Sequence, residues 1–157
     1  MRITSPLAIL LLLTAVPCVA QDSPKAQIQQ IVDRFQVSLK ARDTQALTDL
    51  FLPESKAWIT TLGEPSFSKV KAKHPEVPRY KAGSLQEFTD FVSKAKGNVE
   101  ERFHDVRIET DGSVASVYFD FEFLMDGEVG NHGAETWQLV RTDQGWKIAA
   151  MLYSSNF

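Results

Sequence analysis

The 157-residue chain has one cysteine, Cys18. With no second thiol there is no intramolecular disulfide, no Cys-x-x-Cys redox pair and no thiolate cage for zinc. Basic residues are not in excess: 17 Lys+Arg stand against 20 Asp+Glu, for a formal net charge of −3. The chain therefore offers no broad cationic surface to nucleic-acid phosphates. The three histidines, His74, His104 and His132, are scattered, with no His-x-x-x-His spacing, so no metal site is expected. There is no glycine-rich phosphate loop and no Gly-x-Ser-x-Gly elbow. No cofactor is expected. Low-complexity tracts and internal repeats are also missing. At 43% apolar and 24% charged residues, what remains is an ordinary globular composition.

The longest apolar run is Leu7 to Val16. It is too short for a bilayer core of about 30 Å. Arg2 precedes it, and Cys18-Val19-Ala20 follows with small residues where a signal peptidase cuts. Residues 1–20 read as a secretory signal peptide. Lipid attachment at Cys18 is the rival reading, but Pro17 stands where that signal takes Gly or Ala. The expectation is a single domain over 21–157, periplasmic or secreted, with no membrane contact after cleavage.

Ser23-Pro24 starts a helix. Its apolar stripe is Ile28, Ile31, Val32, Phe35 and Leu39. Asp43 caps a short second helix carrying Leu47, Leu50 and Phe51. Residues 57–62 alternate as a strand. Residues 63–83 hold Pro65, Pro75, Pro78 and Gly83 and read as irregular, with Phe67–Lys73 either a charged edge strand or a mobile flap. Ser84-Leu85-Gln86-Glu87 is a capping box opening a third helix that stops at Gly97. From Val99 the period becomes two. Strands over 99–110, 113–125, 132–142 and 146–154 are separated by Asp111-Gly112, Asp126-Gly127 and Asp143-Gln144-Gly145, which are hairpin signals.

This order of elements resembles the nuclear transport factor 2-like superfamily, which includes the SnoaL-like and ketosteroid-isomerase-like proteins. The first-helix stripe with Ala41-Arg42-Asp43-Thr44-Gln45-Ala46-Leu47 carries the likeness. So does the stretch from Glu135-Thr136-Trp137 through Gly145-Trp146-Lys147-Ile148 to Tyr153-Ser154. The resemblance implies an α+β cone. Three helices from the N-terminal half pack on a curved, mainly antiparallel sheet with a C-terminal four-strand meander. It also implies a pocket at the wide end and, in many members, dimerisation through the sheet. It does not imply one activity, since the group holds isomerases, cyclases, dehydratases and non-catalytic binders.

Hairpin parity assigns faces. A loop centred on Asp111-Gly112 pairs Ile108 with Ala115, Val106 with Val117, His104 with Phe119 and Arg102 with Phe121. The concave face then carries Phe119, Phe121 and Phe123 with Arg102 and His104. A loop centred on Asp126-Gly127 adds His132 beside Phe121. Arg102, His104, Phe119, Phe121 and His132 become the candidate ligand pocket, suited to a small, partly apolar and anionic molecule. Tyr118, Trp137, Leu139, Met151 and Tyr153 fall on the outer face as the candidate homodimer surface. Glu135, Asp105, Tyr118 and Tyr153 there are either a polar cluster or part of that interface. A bulge within Gly130–Gly133 reverses the assignment and puts Glu135 and Trp137 in the hollow. Tyr80 and Arg79 are candidates for closing the pocket mouth.

Three functions follow. The leading one is a non-catalytic binder of a small molecule, since no catalytic set is recognisable. The second is an isomerase or lyase with His104 or His132 as general base; the aspartate–tyrosine–acid trio of ketosteroid isomerases has no counterpart in these positions. The third is an interaction module using Tyr118, Trp137 and Tyr153.

Overall fold

The computed structural model describes residues 22–55 and 57–157; the leader pattern at 1–20 lies outside them. The chain order is α1 (Pro24–Ala41), α2 (Thr44–Thr48), β1 (Ala57–Leu62), α3 (Glu64–Lys73), β2 (Tyr80–Ala82), α4 (Leu85–Lys94), β3 (Val99–Thr110), β4 (Val114–Met125), β5 (Glu128–Thr142) and β6 (Gly145–Ser155). One sheet holds all six strands in the order β2-β1-β6-β5-β4-β3. Only β1 and β6 run parallel. The α+β architecture and the C-terminal meander are as expected.

The helix starts obey local chemistry. The side-chain oxygens of Ser23, Asp43 and Ser84 accept from the backbone N–H groups of Ala26, Ala46 and Glu87. Arg42 ends α1 in the left-handed region at φ 55°, and its guanidinium donates to the carbonyls of Ala95 (2.8 Å) and Gly97. One residue thus closes α1 and ties down the end of α4.

Phe67–Lys73 is neither an edge strand nor a flap. It lies in helix α3, a fourth helix, with Pro65 in its first turn, Glu64 at its positive end and Lys71 and Lys73 at its negative end. Pro at a helix start and charges that oppose the helix dipole explain it. The weak amphipathicity of EPSFSKVKAK hid it from periodicity. The helix is held from outside: Ser66 is fully buried, accepts from the Phe157 N–H at 2.8 Å and donates to the Phe157 carbonyl. Arg79 covers the Phe67 ring at 4.4 Å and pairs with Glu64, so Arg79 braces α3.

The apolar stripe of α1 fills the hollow of the sheet. Ile28, Val32, Phe35 and Leu39 are essentially inaccessible, and each such side chain contributes about 1.5–3 kcal/mol of burial. Phe35 is the hub. Its ring centroid lies 5.1 Å from Trp137, 5.8 Å from Phe103 and 6.1 Å from Phe88.

Three bulges decide which side chains join that core. Next to the Asp111-Gly112 turn the observed pairs are Thr110 with Ala115 and Ile108 with Val117. Beyond Asp105, which sits at φ 52°, the register shifts by one. Phe103 then pairs with Phe121, and Arg102 with Glu122. Gly130 is an extra residue in β5, so Glu135 pairs with Phe119 and His132 with Glu122. Ala149 is an extra residue in β6, which leaves Trp137 opposite Met151 and Glu135 opposite Tyr153. Each one-residue slip turns the remainder of its strand over.

Candidate active site

The three bulges reverse the faces expected from hairpin parity. Phe119 and Phe121 are buried inside, as expected. Arg102, His104 and His132 are exposed on the outer face. Arg102 Nε donates to Glu100 Oε1 at 3.0 Å. His104 Nε2 lies 3.5 Å from Glu122 Oε2, and His132 pairs with Glu122 across the ladder. The five candidate pocket residues do not come together. Of the candidate dimer residues, Trp137, Leu139 and Met151 are buried in the core, and Tyr153 faces the hollow with Glu135. Tyr118 alone of the five stays outside, 42% exposed beneath the Arg107 guanidinium. Asp105 stays outside as well, because it is the bulge.

The inner face surrounds a cavity of about 330 Å³. Its walls are rings: Phe35 from α1, Trp58 from β1, Phe88 and Phe91 from α4, Phe121 and Phe123 from β4. Met151 fills part of the floor. Among these rings open two carboxyl groups, Glu101 from β3 and Glu135 from β5, only 6% and 4% exposed. Glu135 Oε1 accepts from the Trp137 indole N–H. The carboxyl of Glu101 has no hydrogen-bond partner among the described residues, while its backbone carbonyl is held by Gln36 Nε2 at 3.0 Å. The row Thr60, Tyr153, Glu135 crosses three neighbouring strands. The Thr60 hydroxyl, also on the cavity wall, is the one buried side-chain polar atom without a partner among the described residues. Buried polar groups are normally paired, so an orphan hydroxyl and an unpaired carboxyl in the walls of one cavity mark a place built for a guest. Ser84, Asn131, Glu87 and Lys81 complete the polar lining, with Glu87 and Lys81 exposed at the rim. Tyr80 points away, 66% exposed.

Burial drives the electrostatics. Desolvation raises Glu101 well above the usual carboxylate range, and the neighbouring Glu135 adds to it. Desolvation lifts Glu135 to about 8, against the stabilising N–H of Trp137. Two carboxyls in a medium of low polarity do not both ionise at neutral pH. The pair therefore holds protons there and can both donate and accept them.

A larger groove, about 620 Å³, lies on the far side of Trp58 and Gly83, between α2 and the start of α4. It contains no buried charged residue, so the smaller cavity is the chemical one. Among the described residues no group of three His, Cys, Asp or Glu side chains is placed to hold a metal ion, and no helix is long and apolar enough to cross a membrane.

Glu101 is the residue that parity missed. The signal was present: apolar side chains fall on Val99 and Phe103, then on Val106 and Ile108. That change from odd to even positions is the bulge.

Residues 23–151 match the model of the SnoaL-like domain family. No curated protein matches the chain. Solved structures with the same fold include three nuclear transport factor 2-like proteins. One is a provisionally assigned dehydratase from Streptomyces avermitilis (19% identity, 86% of this chain and 99% of that one, TM-score 0.61). Another is a superfamily member from Salmonella enterica (16%, 85% and 92%, 0.60). The third, from Novosphingobium aromaticivorans, is described as cystatin-like in fold (11%, 83% and 80%, 0.60). At these identities the likeness concerns the fold: helices packed in the hollow of a cone-shaped sheet.

Proposed function

Because the chain belongs to the SnoaL-like domain family, we propose that its cone cavity binds a small, largely apolar organic molecule, with Glu101 and Glu135 as the polar anchors. The observation that carries this reading is a pair of buried carboxyl groups opening into a ring-lined cavity of about 330 Å³. A structural core does not need them, and burying them is costly. A cavity that orients a guest does need a few convergent polar groups. The test is native mass spectrometry of protein purified from its own host, followed by calorimetry with the recovered compound. Glu101→Gln and Glu135→Gln are expected to weaken binding by about tenfold or more, as loss of a buried hydrogen bond does. Unchanged affinity in both variants sinks the site.

A second reading is favoured by one observation, the raised pKa values of that same pair. A carboxyl near 8 is matched to general acid–base work at neutral pH. On this reading the protein is an isomerase- or lyase-type enzyme in which Glu101 and Glu135 take the part first considered for His104 or His132. Turnover of an enolisable ketone or a hydroxy acid, with a pH limb near 8 that vanishes in Glu135→Gln, supports it. No turnover across such a panel returns the protein to binding alone. The leader pattern at 1–20 supports export to the periplasm or beyond. The outer sheet face, with exposed Tyr118, Val114 and Leu152, supports a homodimer built on different residues from those first expected.

A further inference from the structure

Building on the reading of the cavity as a ligand site, we propose that its ligand is an organic cation, an aryl-alkyl or alkyl amine whose ammonium group sits against Glu101 and Glu135 while its apolar part lies among the rings. Three carboxyl groups line the cavity, Glu87 from α4, Glu101 from β3 and Glu135 from β5, against one cationic side chain, Lys81 from β2. Lys81 and Glu87 are both exposed at the rim and offset one another; Glu101 and Glu135 are the buried carboxyls, and neither has an ion-pair partner within 4.0 Å among the described residues. Tyr153 from β6 is the remaining titratable group, and α1 presents only Phe35. Arg102 and His104 are on the opposite face of the sheet. A cation is thus the charge the interior lacks.

The walls fit the same guest. Trp58 and Phe88 stand 5.2 Å apart, centroid to centroid, and Phe91 and Phe123 6.0 Å apart. Ring faces attract ammonium groups, most strongly when water is excluded. The unpaired Glu101 carboxyl can accept a hydrogen bond from an ammonium N–H. An anionic guest meets the two buried carboxyls instead. A neutral hydrocarbon leaves all of these acceptors unused.

Binding is then an exchange. An ammonium ion enters, one carboxyl O–H bond breaks, and that proton leaves to the buffer. The carboxylate so formed pairs with the guest, and the total charge of the cavity with its contents is unchanged. The upward displacement of both carboxyls in the empty cavity is consistent with protons holding the place of the cation.

Isothermal titration of the purified protein with benzylamine, benzyl alcohol and benzoate at pH 7 tests this. The benzylammonium ion is expected to bind at least about tenfold more tightly than benzyl alcohol, with benzoate weakest. Its binding enthalpy is expected to differ between phosphate and Tris buffers, because a proton is released. In Glu101→Gln the preference falls to near unity. If that variant does not fold, proton release by the unmodified protein still decides the matter. Benzyl alcohol binding as well as benzylamine overturns the cation and leaves the cavity reading intact. Preference for benzylamine without proton release also overturns it, since the cation then sits at Glu87. Failure of all three probes overturns the cavity reading with it.

Discussion

Glu100 and Glu101 are neighbours in the chain and sit in different solvents. Glu100 faces outward, where Arg102 Nε at 3.0 Å and Lys40 Nζ at 3.3 Å surround it. Those hydrogen bonds hold its carboxyl below the usual range. Glu101 faces inward among rings, and burial holds its carboxyl far above that range. The same side chain, one residue along, changes from a surface counter-ion to a proton store. What separates them is the thickness of one β-sheet. Any event that moves a strand by one residue exchanges the two environments, which is why the bulges at Asp105 and Gly130 matter more here than any single side chain.

The contrast between faces is largest in packing. Trp137 is fully buried against Phe35 and also donates to Glu135. Trp137→Ala is expected to cost about 3–5 kcal/mol in urea unfolding. Tyr118→Ala, one aromatic on the outer face, is expected to cost about 0.5 kcal/mol or less. Equal costs would mean that the face assignment is wrong.

The next effect lies in pH. The unfolded chain ionises Glu135 near 4.5, whereas the folded protein keeps it protonated up to about 8. The folded state therefore binds the extra proton between those values, and stability falls as pH rises through that window. The slope from one such group approaches about 1.4 kcal/mol per pH unit. Urea midpoints measured from pH 5 to 8 are expected to decline less steeply in Glu135→Gln. Glu100→Gln has the opposite sign, because a lowered carboxyl stabilises the fold at pH values above its unfolded pKa and loses that contribution on acidification. A Glu135→Gln protein with the parent's slope would remove the distinction between the two faces.

The smallest effects are expected for Arg102→Ala and His132→Ala. Both side chains are exposed on the outer face, where isolated ion pairs contribute little. Stability should stay within about 0.5 kcal/mol, and ligand affinity should not change. A tenfold loss of affinity in either would restore the cationic pocket that hairpin parity alone describes.

Much of the fold was legible in local chemistry. Ser23, Asp43 and Ser84 announce helix starts, and Asp-Gly pairs announce the hairpins. Strand β3 begins and ends where alternation says. Helix α3 was not legible, because its stability comes from Ser66 meeting Phe157 and Arg79 covering Phe67, contacts distant in sequence. The aromatic character of the cavity was partly legible through Phe121 and Phe123. Its acid–base centre was not. Glu135 entered only as the alternative that followed from a bulge, and hairpin parity without the bulge at Asp105 turns Glu101 outward.

By itself the sequence determined the first helices, the C-terminal meander, the caps, the turns and the family. These depend on neighbours within a few residues, so local chemistry suffices. Only the tertiary structure decided which carboxyls are buried. A single inserted residue such as Gly130 costs little locally, yet it inverts the rest of its strand. Burying Trp137 against Phe35, with Leu139 in the same core, selects the inverted arrangement and carries Glu135 inside, while the bulge at Asp105 does the same for Glu101.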